Sequence, residues 1–201
     1  DEIDEAISQI LDRERPELDL IEMYWDITNG AKDKVGTAAG YTGFSELLFF
    51  RYIMLYLERE LNCKFEMYNV TPDTFAFKAG NITLTHDIGL AKFLDVKDHK
   101  TDIAVIRTTP EGHELLAAFE MKVYFTSNAV LLSDVQKLRD LVKNTNANVY
   151  QIYFLKPTKQ GMEDLRTFSN EFPARAYAIG IDDIGCNISL KDAVKKISGS
   201  L

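Results

Sequence analysis

The chain has 201 residues, 46% of them hydrophobic, which is enough for one domain with a sizeable core. No apolar run is long enough to cross a bilayer, so no membrane partner is expected. A formal net charge of −8 speaks against a protein basic over its whole surface, although phosphate affinity needs only a local cluster of Lys and Arg.

Acidic charge is concentrated between Asp1 and Glu22, and the rest of the chain is far more balanced. Residues 2 to 12 predict a short amphipathic helix, with Ile3, Ile7, Ile10 and Leu11 at helical spacing. Pro16 interrupts it, and Leu18 to Trp25 predicts a second helix. From Asp26 to Gly43 the pattern is lost, and Gly30, Gly36, Gly40 and Gly43 predict a loop. Neither a G-K-[ST] nor a G-x-G-x-x-G pattern is present, which favours a plain connection over a ligand loop. Residues 1 to 40 thus form an N-terminal helical segment and loop ahead of a core spanning 41 to 201. A chain opening at Asp1 without methionine reads as a fragment or a processed form. Two cysteines, Cys63 and Cys186, make no C-x-x-C pattern, which points to inert buried thiols in a reducing, intracellular and cytoplasmic setting.

Thr42 predicts the cap of a long helix from Gly43 to about Asn62. Glu46 falls on the same stripe as Phe50, Ile53, Met54 and Leu57, an unusual place for a carboxylate. It reads either as an acid aimed at a site or as a first-turn glutamate favoured by the helix dipole. Residues 64–70, 74–78 and 82–85 predict short strands, the first or second of them pairing with a hairpin further on. Asp87 to Lys100 is polar, and Lys92, Lys97, His99 and Lys100 suit either phosphate contact or a solvated loop. His86, His99 and His113 lack zinc spacing.

Residues 100 to 125 predict that hairpin. Thr109-Pro110-Glu111-Gly112-His113 suits a three-residue loop with Gly112 in the left-handed position. Ile106 then faces Leu116, Ala104 faces Ala118 and Asp102 faces Glu120. Alternation places Lys122 on the face of those two acids and gives Leu115, Ala117, Phe119, Met121, Val123 and Phe125 to an apolar face. Opposed carboxylates among small and apolar neighbours repel, and a divalent cation between them removes the repulsion. Hard oxygen ligands suit Mg2+ or Mn2+, and an ammonium beside that ion orients a water or stabilises developing charge. An ordinary hairpin with one wet face is the alternative reading.

A helix is predicted from about Ala129 to Lys143, carrying Gln136 and Lys137. Residues 148–156, 162–172, 174–181 and 190–197 read as strand, helix, strand and helix. The order predicts a three-layer α/β/α fold with a mixed central sheet.

The Asp102, Glu120-x-Lys122 pattern resembles the PD-(D/E)xK nuclease superfamily and its restriction-endonuclease-like fold, closely over the hairpin and loosely from residue 41 to 156. Thr101 departs from the family's proline at a position that ligates nothing. The resemblance implies a metal-dependent phosphodiesterase cleaving nucleic acid, with DNA as the expected substrate. Asp102, Glu120 and Glu46 would be the metal acids, assisted by the Met121 carbonyl, with Lys122 positioning the attacking water. It also implies Gln136, Lys137 and Lys100 as substrate contacts, although an exposed helix face is the favoured account of the first two. It leaves open a homodimer or further domains of a longer chain. An inactive nuclease-like scaffold, and a hydrolase with another substrate, are the competing readings.

Overall fold

The computed structural model describes residues 2–35, 41–123, 128–181 and 187–201. Three helices come first, α1 (Glu2–Ile10), α2 (Pro16–Val35) and α3 (Thr42–Leu61). They are followed by β1 (Glu66–Thr71), β2 (Thr74–Ala79), β3 (Ile82–Gly89), β4 (Lys100–Thr109) and β5 (Gly112–Lys122). Then α4 (Asn128–Asn144), β6 (Asn148–Tyr153), α5 (Lys159–Glu171), β7 (Ala176–Gly180) and α6 (Leu190–Ser198) complete the order. The seven strands lie side by side in chain order. β1 to β5 form an antiparallel meander, whereas β6 and β7 add in parallel. The sheet is mixed and the class is α/β. No helix among the described residues is long and apolar enough to cross a membrane.

Two apolar clusters cover the two sheet faces. On one, α1, α2, α3 and α6 pack through Ile7, Tyr24, Phe49 and Val194 against Val105, Phe119 and Ile152. On the other, α4 and α5 pack through Leu138, Leu165 and Phe168 against Ala104, Ala118 and Ala178. The small residues on that second face let the helices approach closely. Rings of Phe119, Tyr150 and Tyr177 stack across β5, β6 and β7 at centroid spacings of 4.6 and 5.3 Å.

The second helix corrects the expected loop. α2 starts at Pro16, whose missing N–H costs nothing in a first turn, and runs through Gly30 to Val35. Buried Leu20, Ile21, Tyr24 and Thr28 hold one face of it, outweighing a glycine-containing sequence of low propensity. Glu17 is wholly buried; it pairs with Arg15 (3.1 Å) and accepts from Leu190 N (3.0 Å), tying α2 to the start of α6. The next helix begins at Thr42, which puts Tyr41 and not Thr42 in the cap position. Gly36, Gly40, Phe125 and Cys186 lie outside the described residues.

β3, not β1 or β2, pairs with the central hairpin, because the meander is laid down in chain order. The hairpin loop is also shorter than expected. Thr109 pairs directly with Gly112, leaving Pro110-Glu111 as a two-residue loop, and Gly112 adopts φ +138°. Ile106 therefore faces Leu115, one residue off the expected register. A bulge at Leu116 then restores it, so that Ala104 faces Ala118 and Ile103 faces Phe119. The bulge moves Leu115 to the α4 face, with Ala104 and Ile106, and turns Leu116 toward the other. Without it every side chain from Ala117 onward would sit on the wrong face.

Gly180, at the end of β7, admits no Cβ, since that atom would overlap the buried Tyr153 ring. Gly180→Ala should destabilise the protein by about 1–3 kcal/mol, measured by urea unfolding with the slope m unchanged.

Candidate active site

The site forms where the ladder between β4 and β5 ends. The last paired residues are Ile103 and Phe119. Beyond them the Asp102 carboxylate replaces the backbone as acceptor and takes the Met121 N–H at 2.6 Å. Glu120, next along β5, is only 2% exposed and lies beside fully buried Gln151 of β6. The Gln151 amide donates to the Glu120 carbonyl at 3.2 Å, which fixes the backbone that presents the carboxylate.

Helix α4 closes this face with two ion pairs. Lys137 Nζ lies 2.8 Å from Glu120 Oε1, and Lys122 Nζ lies 2.9 Å from Asp134 Oδ2. Lys137 also donates to the Lys100 carbonyl at 3.3 Å. Both ammonium groups thus meet acids across the gap between strand and helix, and Lys122 is on the side of Glu120. Among the described residues neither Glu120 Oε1 nor Asp134 Oδ2 receives a directed hydrogen bond, although each is buried. From the opposite layer α3 brings Glu46, near enough for its charge to act on Asp102. Glu46 Oε2 is 3.0 Å from His86 Nε2, and that imidazole packs tilted against the Phe50 ring, with centroids 5.7 Å apart.

Burial, then the charge of Glu46, pushes the Asp102 carboxyl up to about 6 against bonding from Met121. Burial, then Asp102, pushes Glu120 up to about 8 despite Lys137. For Lys137, burial favours the neutral amine, but the contacts with Glu120, Asp134 and Asp102 together hold it above its ordinary value. Four carboxylates (Glu46, Asp102, Glu120 and Asp134) face two ammonium groups, an excess of two negative charges when all are ionised. A divalent cation is the complement of that excess, and its ligands would be hard oxygens.

Among the described residues no three His, Cys, Asp or Glu side chains enclose a cation as they stand. Asp102 is turned onto Met121 N and Glu120 onto Lys137, so each acid spends its charge on a protein donor. Of the expected substrate contacts, Lys137 joins the site. Gln136 does not: it bonds Asp140 and Arg139 along the exposed side of α4. The Lys100 side chain pairs with Asp87 (2.7 Å), leaving only its carbonyl at the site.

Asp134, Gln151 and His86 were not legible as site residues. Asp134 had one faint signal, lying one helical turn before Lys137 and so on its face. Gln151 stood out only as an amide inside an apolar strand.

Compared with models of known families, with curated proteins and with solved structures, the chain finds no match.

The raised carboxyls predict how the metal-free protein responds to pH. A carboxyl held above its unfolded value binds its proton more tightly when folded, so its contribution is fully present at acid pH. It is lost as pH rises through the folded value. Stability should therefore fall from about pH 5 to about pH 8.5, by roughly 1.4 kcal/mol for each pH unit over which one of these carboxyls is ionised in the unfolded chain and still protonated in the folded one. Thermal unfolding in chelator across that range checks it, and a flat or rising Tm contradicts the site electrostatics.

Proposed function

We propose that this protein is a metal-dependent nuclease of the PD-(D/E)xK type. The observation that carries the reading is the cluster of four carboxylates, Glu120 and Asp134 among them buried, with two ammonium groups, which has an excess charge matching one divalent cation. The succession of α3, β3, the hairpin β4–β5, α4 and β6 supports the restriction-endonuclease-like fold, with the acids on the central hairpin.

Asp102 and Glu120 would hold Mg2+ or Mn2+, with Glu46 contributing from α3. Bound there, the ion supplies a Lewis acid for the scissile phosphate and lowers the pKa of a bound water. Lys122 orients the attacking water and offers positive charge to the added negative charge of the phosphate. Asp134 holds the Lys122 ammonium in place, so that it acts as a fixed cation. Lys137 occupies Glu120 in the resting arrangement and is free to meet a phosphate oxygen once that carboxylate is engaged elsewhere.

One observation favours a second reading. Glu120 and Asp134 are already ion-paired, which would let the site persist without metal as part of a binding or scaffold module. Calorimetric titration with Mn2+, beside digestion of linear duplex and single-stranded DNA and of RNA, separates the two. Binding with Mg2+- or Mn2+-dependent cleavage supports the nuclease; no heat and no cleavage on any substrate supports the scaffold.

A further inference from the structure

Next to His86, the partner of Glu46, lies a cleft of about 390 Å³ between β2, β3 and the short turn Leu90–Lys92. Its wall carries Phe75, the second residue of β2, which is 54% exposed although it is a large apolar ring. Phe75 begins an aromatic row that leads to the site. It meets Phe77 edge-on at 6.2 Å, Phe77 meets Phe50 at 5.4 Å, and Phe50 meets His86, the partner of Glu46. Two ammonium groups reach into the same cleft. Lys92 Nζ rests on Thr74 Oγ1 at 3.2 Å, and Lys100 pairs with Asp87. The Lys100 and Asp87 side chains are 63% and 50% exposed, so their pair contributes little and opens readily. Asp87 takes φ +53° inside a strand, a left-handed conformation that puts backbone strain at the cleft.

We propose that this cleft seats an unpaired nucleotide next to the scissile phosphate, its base on the Phe75 ring and its phosphate between Lys92 and Lys100. The inference rests on the nuclease reading of the neighbouring acids and deepens it by naming the substrate form. A flat exposed ring serves any base, because every base has a π face. A base inside a duplex is stacked and paired, and reaches such a ring only after leaving the helix. The volume is near the lower end of small-ligand clefts, about 300–1,000 Å³, so it admits one nucleotide and not a duplex. Single strands, frayed ends or flaps are therefore the preferred substrates.

The test is fluorescence anisotropy with a labelled single-stranded DNA and a duplex of equal length, in Ca2+ to hold off cleavage. Phe75→Ala should lower single-strand affinity about 10- to 100-fold, the effect of one stacked base, and change duplex affinity less than about threefold. Phe75→Tyr should restore binding, since the ring face is kept. Lys92→Ala should weaken binding with a shallower salt dependence. Mn2+ affinity should be the same in Phe75→Ala and the parent. An unchanged or equal loss on the two DNAs, with cleavage intact in the parent, overturns the cleft assignment and leaves the nuclease reading standing. A dimer dissolved by Phe75→Ala with DNA binding unchanged assigns the ring to a second copy and also overturns it. A parent that binds neither Mn2+ nor nucleic acid overturns both.

Discussion

Lys122→Met should reduce cleavage at least about 100-fold, the cost of removing one fixed donor from a developing oxyanion. Mn2+ affinity should stay the same or tighten, because no ligand is lost and a repelling ammonium is gone. The substitution keeps the aliphatic stem, so packing changes little. It does remove the closer partner of Asp134, which is 7% exposed and keeps only Lys137 at 3.9 Å among the described residues. Lys122 is itself 24% exposed, so the cost of the broken pair is about 1–3 kcal/mol, below that of a fully buried one. The double variant Lys122→Met/Asp134→Asn removes both charges and should regain that stability while staying inactive. Recovery of cleavage in the double variant would show that Lys122 serves only to neutralise Asp134. Full activity in Lys122→Met alone would remove it from the mechanism.

Glu120→Gln should have the largest effect on metal binding, and its effect on stability should have the opposite sign. Losing a direct oxygen ligand costs more than losing an outer-shell partner, which is worth about 10- to 100-fold in affinity. Cleavage should fall to background with it. The amide, however, has the shape of the carboxylate without its charge, so the repulsion from Asp102 disappears. Glu120 is the group held up to about 8, and its ionisation is what costs stability near neutrality. In chelator at pH 8 the variant should therefore unfold at a higher temperature than the parent. The remaining pH dependence should lie lower, around the value of about 6 set by Asp102. At pH 5, where Glu120 is protonated in the parent, the two proteins should differ little. Lys137 loses its closest partner but stays near Asp134 at 3.9 Å and is 28% exposed, so it is not left buried without charge compensation. A variant less stable than the parent at pH 8 would mean that the Glu120–Lys137 pair outweighs the repulsion.

Much of the site was legible because it is written in local periodicity. Alternation along β4 and β5 places Asp102, Glu120 and Lys122 on one face. Helical spacing placed Glu46 on the stripe of Phe50, Ile53, Met54 and Leu57, and α3 buries those four residues. Gly112 was expected at positive φ and has it. These properties depend on residues within a turn or two of one another. The pairing of Ala104 with Ala118 was nevertheless reached through a wrong loop, and the ladder stops at Ile103 and Phe119, short of the expected Asp102–Glu120 pair. A two-residue turn shifts the register by one, and a bulge at Leu116 shifts it back. Only the packing of Ala117 and Phe119 under α3 and of Ala118 under α4 decides where that compensation falls.

Three further features depended wholly on tertiary structure. α2 continues through a glycine-bearing stretch because Thr28 and Tyr24 are buried against other layers, and propensity cannot anticipate that support. Asp134 becomes the anchor of Lys122, and Gln136 turns outward, according to which side of α4 meets the sheet. His86 reaches Glu46 across 40 positions of sequence, through contact between a helix and a strand on one side of the sheet. Apart from Leu115, moved by the bulge, the chain alone determined which side chains share a strand face or a helix stripe, since those periods are built into the backbone. Which charges then meet across the layers was decided by the docking of α3 and α4, because electrostatic partners are set by distance in space and not by spacing in sequence.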